Sequence, residues 1–312
     1  MTPASSVTTA GDGFASCFIS APDGLRLHAR LYGGPVAAAM PVVCLPGLAR
    51  TSADFHEIAS ALAGDATCPR RVVAIDSRGR GRSQYDRDPG NYTLATELAD
   101  VIAVLTALDI GPAVFIGTSR GGLLTMLMAA ARPTLLAGAV LNDIGPAIEA
   151  EGLARIKSYV GRLPAPRDFA DAAAILRRLG GHQFPGFSDA DWQIQAQRTW
   201  KTADGGLVLD YDPKLSETLA SFDPTQPPPP QWALFDALAG VPVMVIRGAN
   251  SDILAAETLA AMAARRPDLV RLDVPDQGHA PALRDDATVR AVAAFVQRCR
   301  PAAAAGGHPA FS

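Results

Sequence analysis

The sequence predicts a doubly wound, mostly parallel α/β sheet that is preceded by a β-hairpin and interrupted by a helical insertion. Three observations lead to this prediction. Short apolar runs, typical of strands buried on both faces, alternate with segments of helical spacing. The motif Gly-x-Ser-x-Gly, residues 117–121, stands between such a strand and a helix. The alternation stops at Pro146 and resumes at Val241, and amphipathic helices without buried strands fill the interval.

The predicted elements begin with the hairpin. Its two strands, residues 14–20 and 25–32, alternate in polarity and are joined by Pro22-Asp23-Gly24. His28 lies in the second strand and is interpreted as a structural or surface residue. The remaining strands are expected at 41–45, 71–75, 113–116, 139–141, 241–246 and 270–274, and the helices that alternate with them at 53–62, 92–108, 123–131, 256–264 and 286–298.

These elements divide the chain into a core and an insertion. Residues 14–146 and 237–300 form the predicted core, and residues 147–236 form a helical unit. The segments 1–13 and 301–312 are small, polar or repetitive, so we expect a disordered lead-in and a disordered tail. The lead-in lacks the basic and apolar regions of a signal peptide.

Composition narrows the range of functions. The chain has 312 residues, 48% of them apolar, and a formal net charge of −3, which does not favour nucleic acid or an anionic membrane as a partner. No apolar run is long enough to cross a bilayer. The four cysteines are scattered, which indicates thiols in a reducing, cytoplasmic compartment. No residue set has the spacing of metal ligands, so we expect no metal and no cofactor. A small-molecule substrate is expected, and no oligomeric state is indicated.

The motif around Ser119 predicts a nucleophile. A strand that runs directly into a helix places the serine on a sharp turn, where small neighbours are required on both sides. Gly117 and Gly121 provide that space. The turn lifts the hydroxyl clear of the sheet and leaves the backbone N–H of Arg120 at a helix N-terminus, where it can hold an oxyanion.

Other polar residues are expected to converge on the same place. Ligands bind at the carboxyl edge of a doubly wound sheet, where the loops after parallel strands meet. Residues that come within a few positions of the ends of predicted strands are Leu48, Ser119, Asp143, Asp252 and His279.

Taken together, these motifs resemble the α/β-hydrolase fold family, in its serine-nucleophile branch with a helical cap. The resemblance covers residues 14–300 and depends on five markers in this order: Leu45-Pro46-Gly47-Leu48, the run from Asp76 to Ser83, Gly117-Thr118-Ser119-Arg120-Gly121, Asp252 and Gly278-His279. Leu45-Pro46 replaces the His-Gly that is common in the family. A serine at the nucleophile position argues against the dehalogenase and epoxide-hydrolase branches, which carry aspartate there.

The resemblance implies a role for each marker. Ser119 is the expected nucleophile, His279 its base and Asp252 the acid that orients the histidine, while the N–H groups of Leu48 and Arg120 form the oxyanion hole. Asp143 is the alternative acid, although its position before Ile144-Gly145-Pro146 also suits a structural role at the entry to the cap. We interpret the Arg120 side chain as one half of a structural ion pair.

The reaction is less specific than the fold. We expect a cofactor-free serine hydrolase that cleaves a carboxylic ester or lactone through an acyl-enzyme. Hydrolysis of a C–C bond and perhydrolysis are alternatives on the same triad, and a ligand receptor is the non-enzymatic alternative. Cap aromatic residues are expected to form the cap's own core or a substrate pocket, and the candidates for the pocket, with Asp143, are Tyr159, Trp192, Trp200 and Trp232.

Overall fold

The computed structural model describes residues 6–9, 13–35, 37, 39–203, 205–223 and 225–300. Part of the lead-in that we expected to be disordered forms a strand, because Ser6–Thr9 pairs with Ala15–Phe18 of the hairpin. The predicted disorder is therefore wrong for these four residues. The predicted tail, 301–312, lies outside the described residues.

In the described part of the chain, nine strands form the central sheet. Its spatial order is β1-β2-β3-β5-β4-β6-β7-β10-β11. The first three strands are antiparallel to their neighbours, and all strands from β5 onward run parallel, which confirms the predicted mostly parallel sheet. The strands are β1 Ser6–Thr9, β2 Ala15–Ser20, β3 Arg26–Tyr32, β4 Val42–Leu45, β5 Val72–Asp76, β6 Ala113–Thr118, β7 Leu136–Asn142, β10 Val243–Gly248 and β11 Val270–Val274; a separate hairpin contains β8 Trp200–Ala203 and β9 Gly206–Leu209.

Helices cover both faces of the sheet, as the apolar strands require. One face packs against the helices α1 and α9, and the other packs mainly against α2, α3 and α8. The helices are α1 His56–Ala63, α2 Leu94–Ala107, α3 Arg120–Ala131, α4 Ala150–Tyr159, α5 Phe169–Gly180, α6 Asp189–Gln197, α7 Trp232–Asp236, α8 Ala256–Arg265 and α9 Asp286–Arg298. Every described residue of β4, β5 and β7 is buried, which explains their continuous apolar runs.

Strand order decides which loops meet at the carboxyl edge. β6 lies between β4 and β7, and β10 lies on the far side of β7. The loops after these four strands are therefore neighbours, although they are separated by up to two hundred residues in sequence. This edge is where the polar residues converge.

The segment 147–236, which we call the cap segment, contains more than the predicted helices. Helices α4, α5 and α6 are present, and Pro213–Leu219 is a 3-10 helix. The prediction of helices alone is wrong at 200–209, where β8 and β9 form a hairpin. The sequence carries a signal for it, since the Asp-Gly pair at 204–205 favours a tight turn. The cap segment has a small hydrophobic core of its own, which is formed by Ala172, Ala173, Ile175, Trp192, Ala196 and Trp200.

Candidate active site

Ser119 occupies a strained turn between β6 and α3. Its backbone has φ +52° and ψ −115°, outside the regions that residues with side chains normally adopt. A Cβ on Gly117 would lie 2.4 Å from the carbonyl oxygen of Gly121, and one on Gly121 would lie 2.0 Å from that of Leu45. Glycine at 117 and 121 is therefore required for the chain to turn this sharply beside β4.

The structure brings His279 to Ser119 and places Asp143 behind it. His279 Nε2 lies 2.9 Å from Ser119 Oγ, and Nδ1 lies 2.8 Å from Asp143 Oδ2. Because an ionised carboxylate can only accept, the histidine proton sits on Nδ1 and Nε2 is free to accept from the serine hydroxyl. Asp143 is fully buried and the His279 side chain is 7% exposed, so water does not compete strongly for these contacts.

Two further residues hold Asp143, and our sequence reasoning did not identify this role for either. The backbone N–H of Gly248 donates to Asp143 Oδ1 at 2.9 Å, and the hydroxyl of Ser251 donates to Oδ2 at 2.6 Å. With the His279 contact, both carboxylate oxygens are occupied and the side chain has one orientation. In the sequence Asn250-Ser251-Asp252, our prediction selects the aspartate as the catalytic acid and assigns no role to the serine.

The expected role of Asp252 is wrong. This residue makes a two-point ion pair with Arg155 of α4, at 2.5 and 2.9 Å, and not a contact with His279. Burial alone would raise the pKa of Asp252, but the guanidinium of Arg155 holds it below its ordinary value. Asp252 therefore connects the loop after β10 to the cap segment, whereas Asp143 directly follows β7, the strand next to the one that carries Ser119.

The path of the His279 loop explains this outcome. β11 is the edge strand, so the loop after it must cross the end of β10 to reach Asp143. It crosses at Gly248, where a Cβ would lie 2.4 Å from the carbonyl oxygen of Gln277. The backbone N–H of Asn250 donates to the same oxygen at 2.9 Å. A residue without a side chain at 248 thus allows His279 to reach β7.

The two residues that carry the candidate oxyanion donors lie close to Ser119. Gly47 and Leu48 line the cavity above the serine, and a Cβ on Gly47 would lie 3.7 Å from Ser119 Cβ. Arg120 is the first residue of α3, so its N–H has no acceptor within the helix. The Arg120 side chain pairs with Glu97 at 2.7 Å, which confirms the expected structural ion pair.

A cavity of about 220 Å³ lies above Ser119 and His279. The cap segment supplies much of its wall. Two of the predicted pocket residues, Tyr159 and Trp192, line it, as do the aromatic residues Phe184 and Phe187. Its aliphatic wall contains Ile156, Val160, Leu163, Leu176 and Leu179.

The other three pocket predictions are wrong. Trp200 is 1% exposed and lies in the core of the cap segment. Trp232 packs against Phe235 and beneath the guanidinium of Arg265, away from the cavity. Asp143 lies behind His279, where its carboxylate is closed to a substrate. Sequence periodicity identifies an aromatic face but not which neighbour it meets.

Three arginines line or border the cavity, and each has an acidic partner. The ion pairs are Arg50–Asp54 at 2.6 Å, Arg155–Asp252 at 2.5 Å and Arg198–Glu57 at 2.5 Å. These pairs leave no net charge on this part of the wall. Among the described residues, no group of three His, Cys, Asp or Glu side chains is arranged to hold a metal ion.

A second serine–histidine–aspartate set is buried in the sheet. His28 Nδ1 lies 2.7 Å from Asp76 Oδ2, and Nε2 lies 3.1 Å from Ser16 Oγ. All three residues are at most 3% exposed, and Ser16 Oγ also accepts a hydrogen bond from Arg82 at 2.6 Å. His28 is therefore a structural residue, the first of the two interpretations offered from the sequence, and not a surface residue.

The sequence model of the Alpha/beta hydrolase family matches residues 42–291. This chain belongs to that family. A relative from Cupriavidus necator, named 3-hydroxybutyrate-oligomer hydrolase, is 34% identical over 284 residues, which cover 89% of this chain and 94% of the relative. The 2-(acetamidomethylene)succinate hydrolase of Mesorhizobium japonicum is 27% identical, over 80% of this chain and 85% of that protein.

Solved structures agree with this assignment. The crystal structure of an alpha/beta hydrolase from Novosphingobium aromaticivorans superposes with a TM-score of 0.85 at 41% identity, and the match covers 92% of this chain and 99% of that one. The family, its named relatives and this structure together show that the protein is an enzyme, a hydrolase. No helix among the described residues is both long enough and apolar enough to cross a membrane.

Proposed function

We propose that the protein is a serine hydrolase that cleaves a carboxylic ester, or a lactone, through an acyl-enzyme intermediate. The observation that carries the proposal is the hydrogen-bonded series Ser119–His279–Asp143 at the floor of the cavity, with distances of 2.9 and 2.8 Å. A serine hydroxyl attacks poorly unless a base removes its proton, and this geometry supplies the base.

The proposed reaction has two halves. His279 Nε2 takes the proton of Ser119 Oγ as the oxygen attacks the ester carbonyl carbon, and Asp143 stabilises the imidazolium that forms. The N–H groups of Leu48 and Arg120 bind the oxyanion of the tetrahedral intermediate. The alcohol leaves with the proton from His279, and a water molecule then hydrolyses the acyl-enzyme by the same steps.

The cavity wall supports an uncharged acyl group next to Ser119. A substrate carboxylate placed beside Arg50 or Arg155 would compete with Asp54 or Asp252, which are already bound there. The Cupriavidus necator relative is named for oligomers of a hydroxy acid, and the hydroxyl and carboxyl groups of such units condense to esters. Ester chemistry on short hydroxyacyl or acyl groups is therefore the first class to test.

The deciding experiment compares wild type with Ser119→Ala on short-chain p-nitrophenyl esters, lactones and a β-diketone. Removal of Ser119 Oγ should lower kcat for esters by at least about 10³-fold while the melting temperature stays close to wild type. A fluorophosphonate should label the wild type at Ser119 and not the variant. Ester hydrolysis by Ser119→Ala at near wild-type rate would refute the proposal, and turnover of the diketone alone would favour C–C hydrolysis.

A further inference from the structure

The two segments that supply the candidate oxyanion donors are connected through one buried carboxylate and its two arginine partners. Leu48 lies after β4, and Arg120 begins α3, 72 positions later in the sequence. We propose that Glu97 is a positioning residue that fixes these two donors relative to each other. This inference depends on the proposed function, because it concerns the oxyanion hole of that reaction.

Glu97 lies in the first turn of α2 and contacts both sides. Its Oε1 accepts from Arg80 Nη1 at 2.8 Å, and its Oε2 accepts from Arg120 Nε at 2.7 Å. Arg80 Nε in turn donates to the carbonyl oxygen of Leu48 at 2.7 Å. We call this series, Leu48–Arg80–Glu97–Arg120, the Glu97 bridge.

Burial makes the Glu97 bridge rigid. Glu97 is 1% exposed and Arg80 is fully buried, so neither can exchange its partner for water at low cost. Burial alone would raise the pKa of Glu97, but Arg80 and Arg120 hold it below its ordinary value, and the carboxylate is charged at neutral pH. A second contact, from Arg120 Nη2 to the carbonyl oxygen of Tyr92 at 3.0 Å, holds the arginine plane against the start of α2.

The position of these contacts points to the oxyanion hole. Arg80 fixes the carbonyl group of Leu48, and the backbone N–H of the same residue is the proposed oxyanion donor. Among the described residues, the N–H groups of Leu48 and Arg120 have no protein acceptor. An oxyanion hole acts only when its donors already point at the charge that develops, so small shifts of either donor lower kcat.

The same helix offers a matched control. Asp100 lies one turn after Glu97 and contacts Arg78 at 2.6 and 2.7 Å, and it is also buried. Arg78 has two further acidic partners, Asp23 and Asp86. This ion pair is as deep as the Glu97 bridge but its side chains contact neither Leu48 nor Arg120.

The experiment compares Glu97→Gln with Asp100→Asn. We expect both to lower the melting temperature. Glu97→Gln should lower kcat for a p-nitrophenyl ester by about 10- to 100-fold with KM within about twofold, below the loss for deleting one donor. It should weaken inhibition by a phenylboronic acid, which forms a tetrahedral serine adduct, by a similar factor. Asp100→Asn should keep kcat and KM within about twofold of wild type.

Two results would overturn the inference. The first is a kcat of Glu97→Gln that equals the kcat of Asp100→Asn. The second is a change in Glu97→Gln that affects only KM and leaves inhibition by the boronic acid unchanged. Should Glu97→Gln fail to fold, Arg120→Met replaces it, because this side chain is 15% exposed and its backbone N–H is kept. We expect a loss of several-fold in its kcat, and no loss would overturn the inference. If Ser119→Ala abolishes ester hydrolysis, the proposed function stands, and an unchanged kcat in Glu97→Gln then refutes only the role of the Glu97 bridge. If Ser119→Ala stays active, the proposed function itself fails.

Discussion

Replacing Asp143 by asparagine should nearly abolish turnover without unfolding the protein. The N–H of Gly248 donates to Oδ1 of the carboxylate, so the amide oxygen of asparagine stays on that side. The amide nitrogen then faces His279 Nδ1 and must donate to it. The histidine proton moves to Nε2, where it points at Ser119 Oγ, and the imidazole can no longer accept the serine proton.

The expected loss follows from this tautomer change. In a Ser-His-Asp site the same substitution costs about 10⁴ in kcat, which at about 1.36 kcal/mol per factor of ten corresponds to about 5 kcal/mol of transition-state stabilisation. The amide nitrogen also replaces the acceptor of the Ser251 hydroxyl, whose oxygen already accepts from the N–H groups of Ile253 and Leu254. Loss of this hydrogen bond costs about 1 to 3 kcal/mol, so the melting temperature should fall by several degrees while the protein stays folded at the assay temperature.

Asp252→Asn is the matched control for this prediction. It removes one partner of a partly exposed ion pair with Arg155, and kcat should stay within about tenfold of wild type. The assay is hydrolysis of a p-nitrophenyl ester at saturating substrate, corrected for active enzyme by titration, with circular dichroism to confirm folding. A loss of about 10³-fold in Asp252→Asn together with an active Asp143→Asn would show that the acid is Asp252.

Two further predictions concern the cavity and the buried sheet. Trp192 lies at the cavity wall, so Trp192→Ala should change the order of kcat/KM values for p-nitrophenyl esters of different acyl chain length. Trp232→Ala is the control and should keep the wild-type order. The wild-type order in both variants would contradict the placement of Trp192. Burial would raise the pKa of Asp76, but His28 and backbone N–H groups hold it below its ordinary value. Its contribution to stability is therefore present above about pH 4 and is lost as the pH falls through the folded-state pKa. Asp76→Asn should lower the free energy of unfolding at pH 7 by about 3 kcal/mol, and urea titrations should show this difference shrinking as the pH is lowered below about 4; a constant difference would contradict the assignment.

The sequence identified the features that depend on local chain geometry. Ser119 could be predicted because Gly-x-Ser-x-Gly between a strand and a helix defines its own turn. His279 could be predicted because it closely follows the last strand and lies next to a glycine. The mostly parallel sheet followed from apolar runs of strand length.

The choice between Asp143 and Asp252 could not be made in this way. Both follow strands, and the outcome depends on how the loop after β11 crosses β10 at Gly248. That crossing is a tertiary contact between segments about thirty residues apart, and nothing in the local pattern encodes it. Trp200 and Trp232 failed as pocket residues for a related reason, since amphipathic spacing does not say which neighbour covers the apolar face.

The buried set Ser16–His28–Asp76 has a consequence for recognising catalytic serines from coordinates. A geometric template for serine, histidine and aspartate in hydrogen-bond order fits twice within the described part of the chain, with distances that differ by only 0.2 Å or less in each contact. Only Ser119 borders a cavity and stands at a helix N-terminus, whereas Ser16 already accepts from Arg82 and has no room for an electrophile. Template searches therefore need solvent access and oxyanion donors as additional criteria, because three side chains in the right order are also an effective way to satisfy buried polar atoms.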